Sequence, residues 1–242
     1  TALTSGVGNT AVGYQAMTTG TTAAESVAIG YQAMATHLDG NRNIAIGYQA
    51  MDANTDGDDN IAIGWEAMGN ANNTDCIGNT VVGNGAGDAF GTAAVQYTTL
   101  IGGAAGGAIN HADASNTTAV GYQSLNALTE GQANVAIGFQ ALDACSTSDY
   151  NTAVGYEALS AVTTGNGMNT AIGRVAGFST SDGEYNTYLG ASAGYYQATG
   201  DNNTYVGTHA GFGATGENNS NNTAVGKSAL YAITGSDITC LF

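Results

Sequence analysis

Proline is absent from the chain, and lysine and arginine together supply only 3 of its 242 residues, against 19 of aspartate and glutamate. The formal charge is therefore −16. Phosphate backbones and anionic head groups are bound by clustered lysine and arginine, whereas Arg42, Arg174 and Lys227 stand alone. Nucleic acid and anionic membranes are excluded as partners on that ground, and the balance suits a soluble, self-repelling surface protein. Long apolar runs are missing as well. No stretch approaches the roughly 18 consecutive apolar residues of a membrane helix, and no basic segment followed by an apolar one opens the chain, so membrane insertion is not expected. Glycine, at 37 residues, is abundant. It shows no Gly-X-Y period, which excludes collagen, and the composition is far from that of an ordinary enzyme.

What is present is a repeat. The stretch Asn151-Thr152-Ala153-Val154-Gly155-Tyr156-Glu157-Ala158-Leu159 recurs in near-copies from one end to the other. Its glycine falls at Gly13, Gly30, Gly47, Gly64, Gly83, Gly102, Gly121, Gly138, Gly155, Gly173, Gly190, Gly207 and Gly226, at steps of 17 to 19 residues. A period of that length means stacked coils in which each unit touches only its neighbours. Residues 1–242 are thus read as one repeat-array domain.

The columns of the repeat predict the coil. Immediately before the glycine every copy carries Val, Ile or Leu, and three before it every copy carries Thr, Val or Ile. Alternation with small residues between them is the period-two signature of a short strand, and the uniformly aliphatic column is expected to form the core. Four before the glycine stands Asn in ten copies, among them Asn9, Asn43, Asn60 and Asn151; such residues favour turns and stack into ladders. The glycine marks a second corner, where a positive φ or a close backbone approach excludes a β-carbon. Three residues later every copy has Ala or Ser, which predicts a second strand ending in a narrow interior. Thirteen such coils, stacked at about 4.8 Å, predict a flattened two-sheet rod about 62 Å long.

Two further columns vary together. With one departure, Lys227 with Leu230, Met or Leu four residues after the glycine goes with an aromatic one residue after it: Tyr14, Tyr31, Tyr48, Trp65, Tyr122, Phe139 and Tyr156. Where the fourth residue is Gly87, Gly106, Gly177, Gly194 or Gly211, the aromatic is gone. The covariation predicts that the two side chains share one surface, either an interface between chains or, by ring stacking, a sugar-binding stripe.

The motifs Ser26-Val27-Ala28-Ile29-Gly30 with Ala33, Asn43-Ile44-Ala45-Ile46-Gly47 and Asn134-Val135-Ala136-Ile137-Gly138 resemble the head repeats of trimeric autotransporter adhesins. The Asn-Thr-Ala-Val-Gly-Tyr arrays are similar to those of tail-fibre and virion-surface proteins of marine phages and algal viruses. The resemblance covers the whole chain and implies an all-β, parallel β-solenoid of the left-handed β-roll type, associated three side by side and displayed outside the cell or on the virion. It also implies a host-cell or surface receptor, polysaccharide included. Residues 1–6 and 238–242 each fall inside a coil, and no cap is visible. The chain is therefore expected to be a segment of a longer array or a subunit that stacks end to end into a filament.

Chemistry is sparse. His37, His111 and His209 share no phase, and no Cys or His pair has metal-ligand spacing. Asp56, Asp58 and Asp59 form the densest set of hard oxygen ligands; without the spacing of an EF-hand loop they are read as a solvated turn, with calcium the alternative. The odd cysteines, Cys76, Cys145 and Cys240, fix no compartment. Four repeats, or about 19 Å, separate the first two, too far for a disulfide within the chain. No nucleophile with a base and no recurrent carboxylate pair supports an enzyme. Ice binding is a third class, since Thr152, Thr170, Thr187, Thr204 and Thr223 form a regular row. That row shares the parity of the expected core column, so its methyls are expected to point inward.

Overall fold

The fold is taken from a computed structural model that describes residues 6–19, 22–54, 56–72, 75–213, 219–232 and 235–241. Most of the residues that carry the reading of the chain ends, 1–5 and Phe242, lie outside them. The chain divides into two compact units, Thr1–Tyr122 and Gln123–Phe242. In the first, strands β1 (Thr10–Val12), β2 (Val27–Ile29), β3 (Ile44–Ile46), β4 (Ile61–Ile63), β5 (Thr80–Val82), β6 (Thr99–Ile101) and β7 (Thr118–Val120) pair in parallel in chain order. In the second, β8 (Val135–Ile137), β9 (Thr152–Val154), β10 (Thr170–Ile172), β11 (Thr187–Leu189), β12 (Thr204–Val206), β13 (Thr223–Val225) and β14 (Thr239–Leu241) do the same. Each turn of the chain adds one strand in register, so that Ile44 lies between Val27 and Ile61. The all-β parallel solenoid expected from the period is the architecture found.

Each coil contributes one strand, not two. The expected second strand is a run of turns in which residues two and four after the corner glycine adopt left-handed backbone, as at Gln32 (φ 53) and Met34 (φ 51). An extended strand cannot contain such residues. Coils nevertheless bond to one another along this wall, Gln32 N donating to Tyr14 O at 2.8 Å and Met34 N to Ala50 O at 3.0 Å.

The parity of the strand is the reverse of that expected. From β2 to β13 the middle residue is buried, and the two β-branched or aliphatic flanks are half-buried or exposed. Alternation fixes which residues share a face but not which face is inside. The coil is too narrow for two columns of Val and Ile because its opposite walls already fill it. Ala33, Ala50 and their equivalents enter from the turn wall, and Met17, Met34, Met51, Met68, Leu125, Leu142 and Leu159 are fully buried beside them. A third interior column, seven residues after the glycine, holds Phe90, Ile109, Leu128, Cys145 and Val162. Where Met or Leu fills the interior, only a methyl fits at mid-strand.

The same packing explains the covariation, with different partners from those expected. The aromatic beside the glycine points out and the Met or Leu points in, so the pair does not share a surface. Where Gly replaces Met or Leu, the vacated interior is taken by a large side chain nearby. A β-carbon at Gly106 would crowd Leu100 and Ile109, at Gly194 the Tyr188 ring, and at Gly211 the Tyr205 ring. Leu100, Tyr188 and Tyr205 are mid-strand residues, fully buried where other strands have Ala.

Both predicted corners are present. Gly47 has φ 142, and a β-carbon there would run into the Gly64 carbonyl of the next coil. At the other corner each buried Asn links consecutive coils. Asn43 donates Nδ2 to Gly57 O (2.6 Å), its Oδ1 accepts from Asn60 N (2.9 Å), and Asn60 Oδ1 accepts in turn from Asn79 N (3.0 Å). Asn134, Asn151, Asn169, Asn186, Asn203 and Asn222 continue the pattern in the second unit. Asn9 begins it in the first, where Ser26 and Thr98 substitute by supplying or sharing an oxygen.

Candidate functional site

Two outward surfaces recur in every coil. The strand face carries the two columns flanking the buried mid-strand residue. In β2, β3 and β4 both are aliphatic: Val27 and Ile29, Ile44 and Ile46, Ile61 and Ile63. In β9 to β13 one is Thr and the other aliphatic. Neither column contains a charged residue, although the chain carries −16. The row from Thr152 to Thr223 therefore faces outward, contrary to the sequence expectation, and Thr187 and Thr204 are fully in the exposed class.

The second surface is the corner after the glycine. Tyr14, Tyr31, Tyr48 and Trp65 stack at centroid distances of 5.2, 5.2 and 6.2 Å with planes within 17° of parallel. Tyr31 and Tyr48 remain 43% exposed. Beside them Gln32 donates Nε2 to Gln15 Oε1 (2.8 Å) and Gln49 to Gln32 (3.2 Å). Tyr122 is exposed at the same phase. In the second unit Phe139 stacks on Tyr156 at 5.2 Å, with the Arg174 guanidinium 5.8 Å from the Tyr156 ring centre. There a further ladder, Phe178, Tyr195, Phe212 and Tyr231, stacks at 5.0, 5.2 and 4.9 Å. Sequence reasoning missed it, though these rings recur in phase, five residues after their glycines.

Next to each corner lies a polar groove. One, of about 230 Å³, is lined by Gln49, Asp52, Glu66, Gly69, Asn70 and Asp88; the other, of about 310 Å³, by Gln140, Asp143, Glu157, Ser160, Ala161 and Phe178. Burial raises the carboxyl pKa values of Asp52, Glu66, Asp88 and Asp143, reinforced by neighbouring carboxylates at Asp52, Glu66 and Asp143.

The acidic loop does not converge on a point. Asp58 Oδ1 accepts from Asn41 N at 2.7 Å. Asp59 takes the Arg42 guanidinium at 2.6 and 2.8 Å, and that hydrogen bond holds its carboxyl below the usual range. Asp56 Oδ1 is buried without a partner. Among the described residues no three His, Cys, Asp or Glu side chains are grouped to hold a metal. His37 is buried, its Nε2 2.8 Å from Gly40 O, whereas His111 lies at the start of the short 3-10 turn Ala112–Ala114 and His209 against Phe212. Cys76 Sγ donates to Ala93 O at 3.2 Å, while Cys145 and Cys240 are free thiols; burial pushes Cys145 up to about 12. No helix among the described residues is long and apolar enough to cross a membrane.

Comparison with protein-family models, with characterised proteins and with solved structures finds no match to this chain.

Proposed function

We propose that the chain is a non-enzymatic structural segment of an extracellular or virion-surface fibre, of the adhesin type, whose copies associate side by side through their strand faces. The observation that carries the reading is the outward, charge-free strand face with aligned Val, Ile and Thr columns on a chain of charge −16. Copies that repel one another everywhere else can approach there. Each Val or Ile taken from half-exposed to buried contributes about 1 kcal/mol, and every coil offers one or two. The sequence resemblance to adhesin heads supports three chains per assembly. The corner aromatics then remain on the outside, free for attachment to a surface receptor.

The test is the mass in solution by sedimentation equilibrium across a concentration series. A stable three-chain mass is expected. A monomer at every concentration would sink the reading, and open-ended growth would favour an end-to-end filament.

One observation favours a second reading, ice binding. An ice binder needs its Thr row outside, and the row from Thr152 to Thr223 lies there. On β9 to β13 the Thr and aliphatic columns form an in-register lattice, about 4.8 Å between strands and about 6.6 Å along them. Such a lattice can order water at a repeat near that of an ice plane. A chain associated through this face cannot present it. A monomeric mass with thermal hysteresis would replace the first reading by this one, and absence of hysteresis would end it.

A further inference from the structure

The aromatic corner of the first unit has features that packing within the chain does not use. The rings of Tyr14, Tyr31, Tyr48 and Trp65 are 43 to 64% exposed although each touches the next. Mutual stacking fixes them in advance, so a ligand that meets them has little side-chain entropy to remove. In the parallel amide ladder, Gln32 spends one N–H on Gln15 and one oxygen lone pair on Gln49. A primary amide has a second N–H and a second lone pair, and these remain for a partner. Gln49 and Glu66, next in the chain to Tyr48 and Trp65, line a groove with Asp52 and Asp88, which supplies acceptors for hydroxyl groups.

Charge selects among partners. Arg42 is the one Lys or Arg between residues 1 and 122, and its guanidinium is bound by Asp59. An anionic polymer would find no free cation here and several carboxylates. A second copy of the chain would bring the same carboxylates to the contact, which is repulsive. What remains is a partner that is uncharged, extended and periodic, with apolar C–H on one side and dense hydroxyls on the other.

We propose that the corner bearing Tyr14, Tyr31, Tyr48 and Trp65 binds an uncharged polysaccharide laid along the ladder, the rings meeting its C–H faces and the glutamine amides its hydroxyls. The inference names the ligand for the attachment part of the proposed function and rests on that part.

The test is affinity electrophoresis of the full chain in native gels containing hydroxyethyl cellulose, soluble xylan or galactomannan, with alginate as the anionic comparator. Retardation by at least one neutral polymer is expected. Tyr48→Leu, which keeps apolar bulk and loses the ring, should weaken the apparent Kd at least about fivefold, the factor that corresponds to the low end, about 1 kcal/mol, for one aromatic stack. Tyr195→Leu, on the ladder of the second unit, should leave it unchanged, and thermal unfolding of both variants reports any loss of fold. Retardation by alginate alone would overturn this ligand class and keep the attachment reading. No retardation by any polymer would overturn both, and full binding by folded Tyr48→Leu would overturn the assignment to this corner.

Discussion

Size compensation across the coil interior makes a quantitative prediction at Tyr188 and Gly194. Tyr188→Ala removes a fully buried ring that stacks on Tyr205 at 5.7 Å. An aromatic-to-alanine change in a core costs about 3–5 kcal/mol. The lower half of that range applies, because Tyr188→Ala also removes a fully buried hydroxyl and recovers its desolvation. Gly194→Met alone drives a β-carbon into the same ring; overpacking costs about 1–3 kcal/mol, and a left-handed residue at φ 62 a further 1–2, approximately. Together the two changes recreate the Ala and Met solution of Ala45 and Met51, which is also left-handed, at φ 51. The double variant should therefore lose only about 1–3 kcal/mol, a coupling of about 2 kcal/mol or more. The assay is amide hydrogen exchange at Gly194, whose N–H is bonded to Ala210 O at 3.0 Å. Additive losses would speed its exchange more than about 3,000-fold, whereas the compensated pair should change it by no more than about 150-fold. Additive behaviour would refute the account of why Gly and Tyr occur together.

Other outcomes follow from the corners and from the carboxylates. Gly47→Ala should cost about 3–5 kcal/mol, from backbone strain of about 1–3 and two disturbed coil-to-coil bonds at about 1 each; Gly85→Gln, at φ 60 with nothing within 4 Å, should cost only the left-handed backbone, about 1–2 kcal/mol, in the same urea titration. Asn151→Ala leaves the Asn169 amide without its acceptor and should cost about 2–4 kcal/mol. Asn151→Ser should recover part of that loss in thermal unfolding, because Ser26 Oγ accepts from Asn43 N at 3.1 Å at the same phase. Burial raises Asp52, Asp88 and Asp143 above 3.8 in the folded chain, so the native state holds more protons than the unfolded chain just above that pH. Stability should then fall as pH rises through this window. Asp143→Asn should flatten the fall and unfold at a higher temperature than the parent at pH 7, an advantage that vanishes below pH 3.8.

The period, the register of the strand before the glycine and both corners were legible in the sequence because they repeat, whereas the second strand expected after the glycine is a run of turns. Geometry that excludes a β-carbon leaves an unbroken glycine column, as at Gly47, and hydrogen bonding leaves Asn in ten of the thirteen copies, as at Asn60. Parity was not legible. Alternation in Thr152-Ala153-Val154 is the same whether Ala153 or its neighbours face inward, and the larger apolar column is the natural choice for a core. What decides the matter is the width of the coil, set by Met51 and Ala50 arriving from the other wall, a tertiary fact. The true partner of the Met-to-Gly swap was hidden for the same reason, since Gly194 and Tyr188 are joined only across the interior. At the corner the sequence marked Tyr31 and Tyr48 as a stripe but could not say that Met34 and Met51 lie beneath it.

The central claim is that chains meet through the strand face and leave the aromatic corner free, and one comparison tests it directly. Ile46→Lys and Tyr48→Lys place the same charge two residues apart, on the strand face and on the corner. Sedimentation equilibrium of the two variants beside the parent chain should give a three-chain mass for the parent and for Tyr48→Lys, and a single-chain mass for Ile46→Lys. A monomeric parent, or a Tyr48→Lys variant that dissociates while Ile46→Lys does not, would contradict the account.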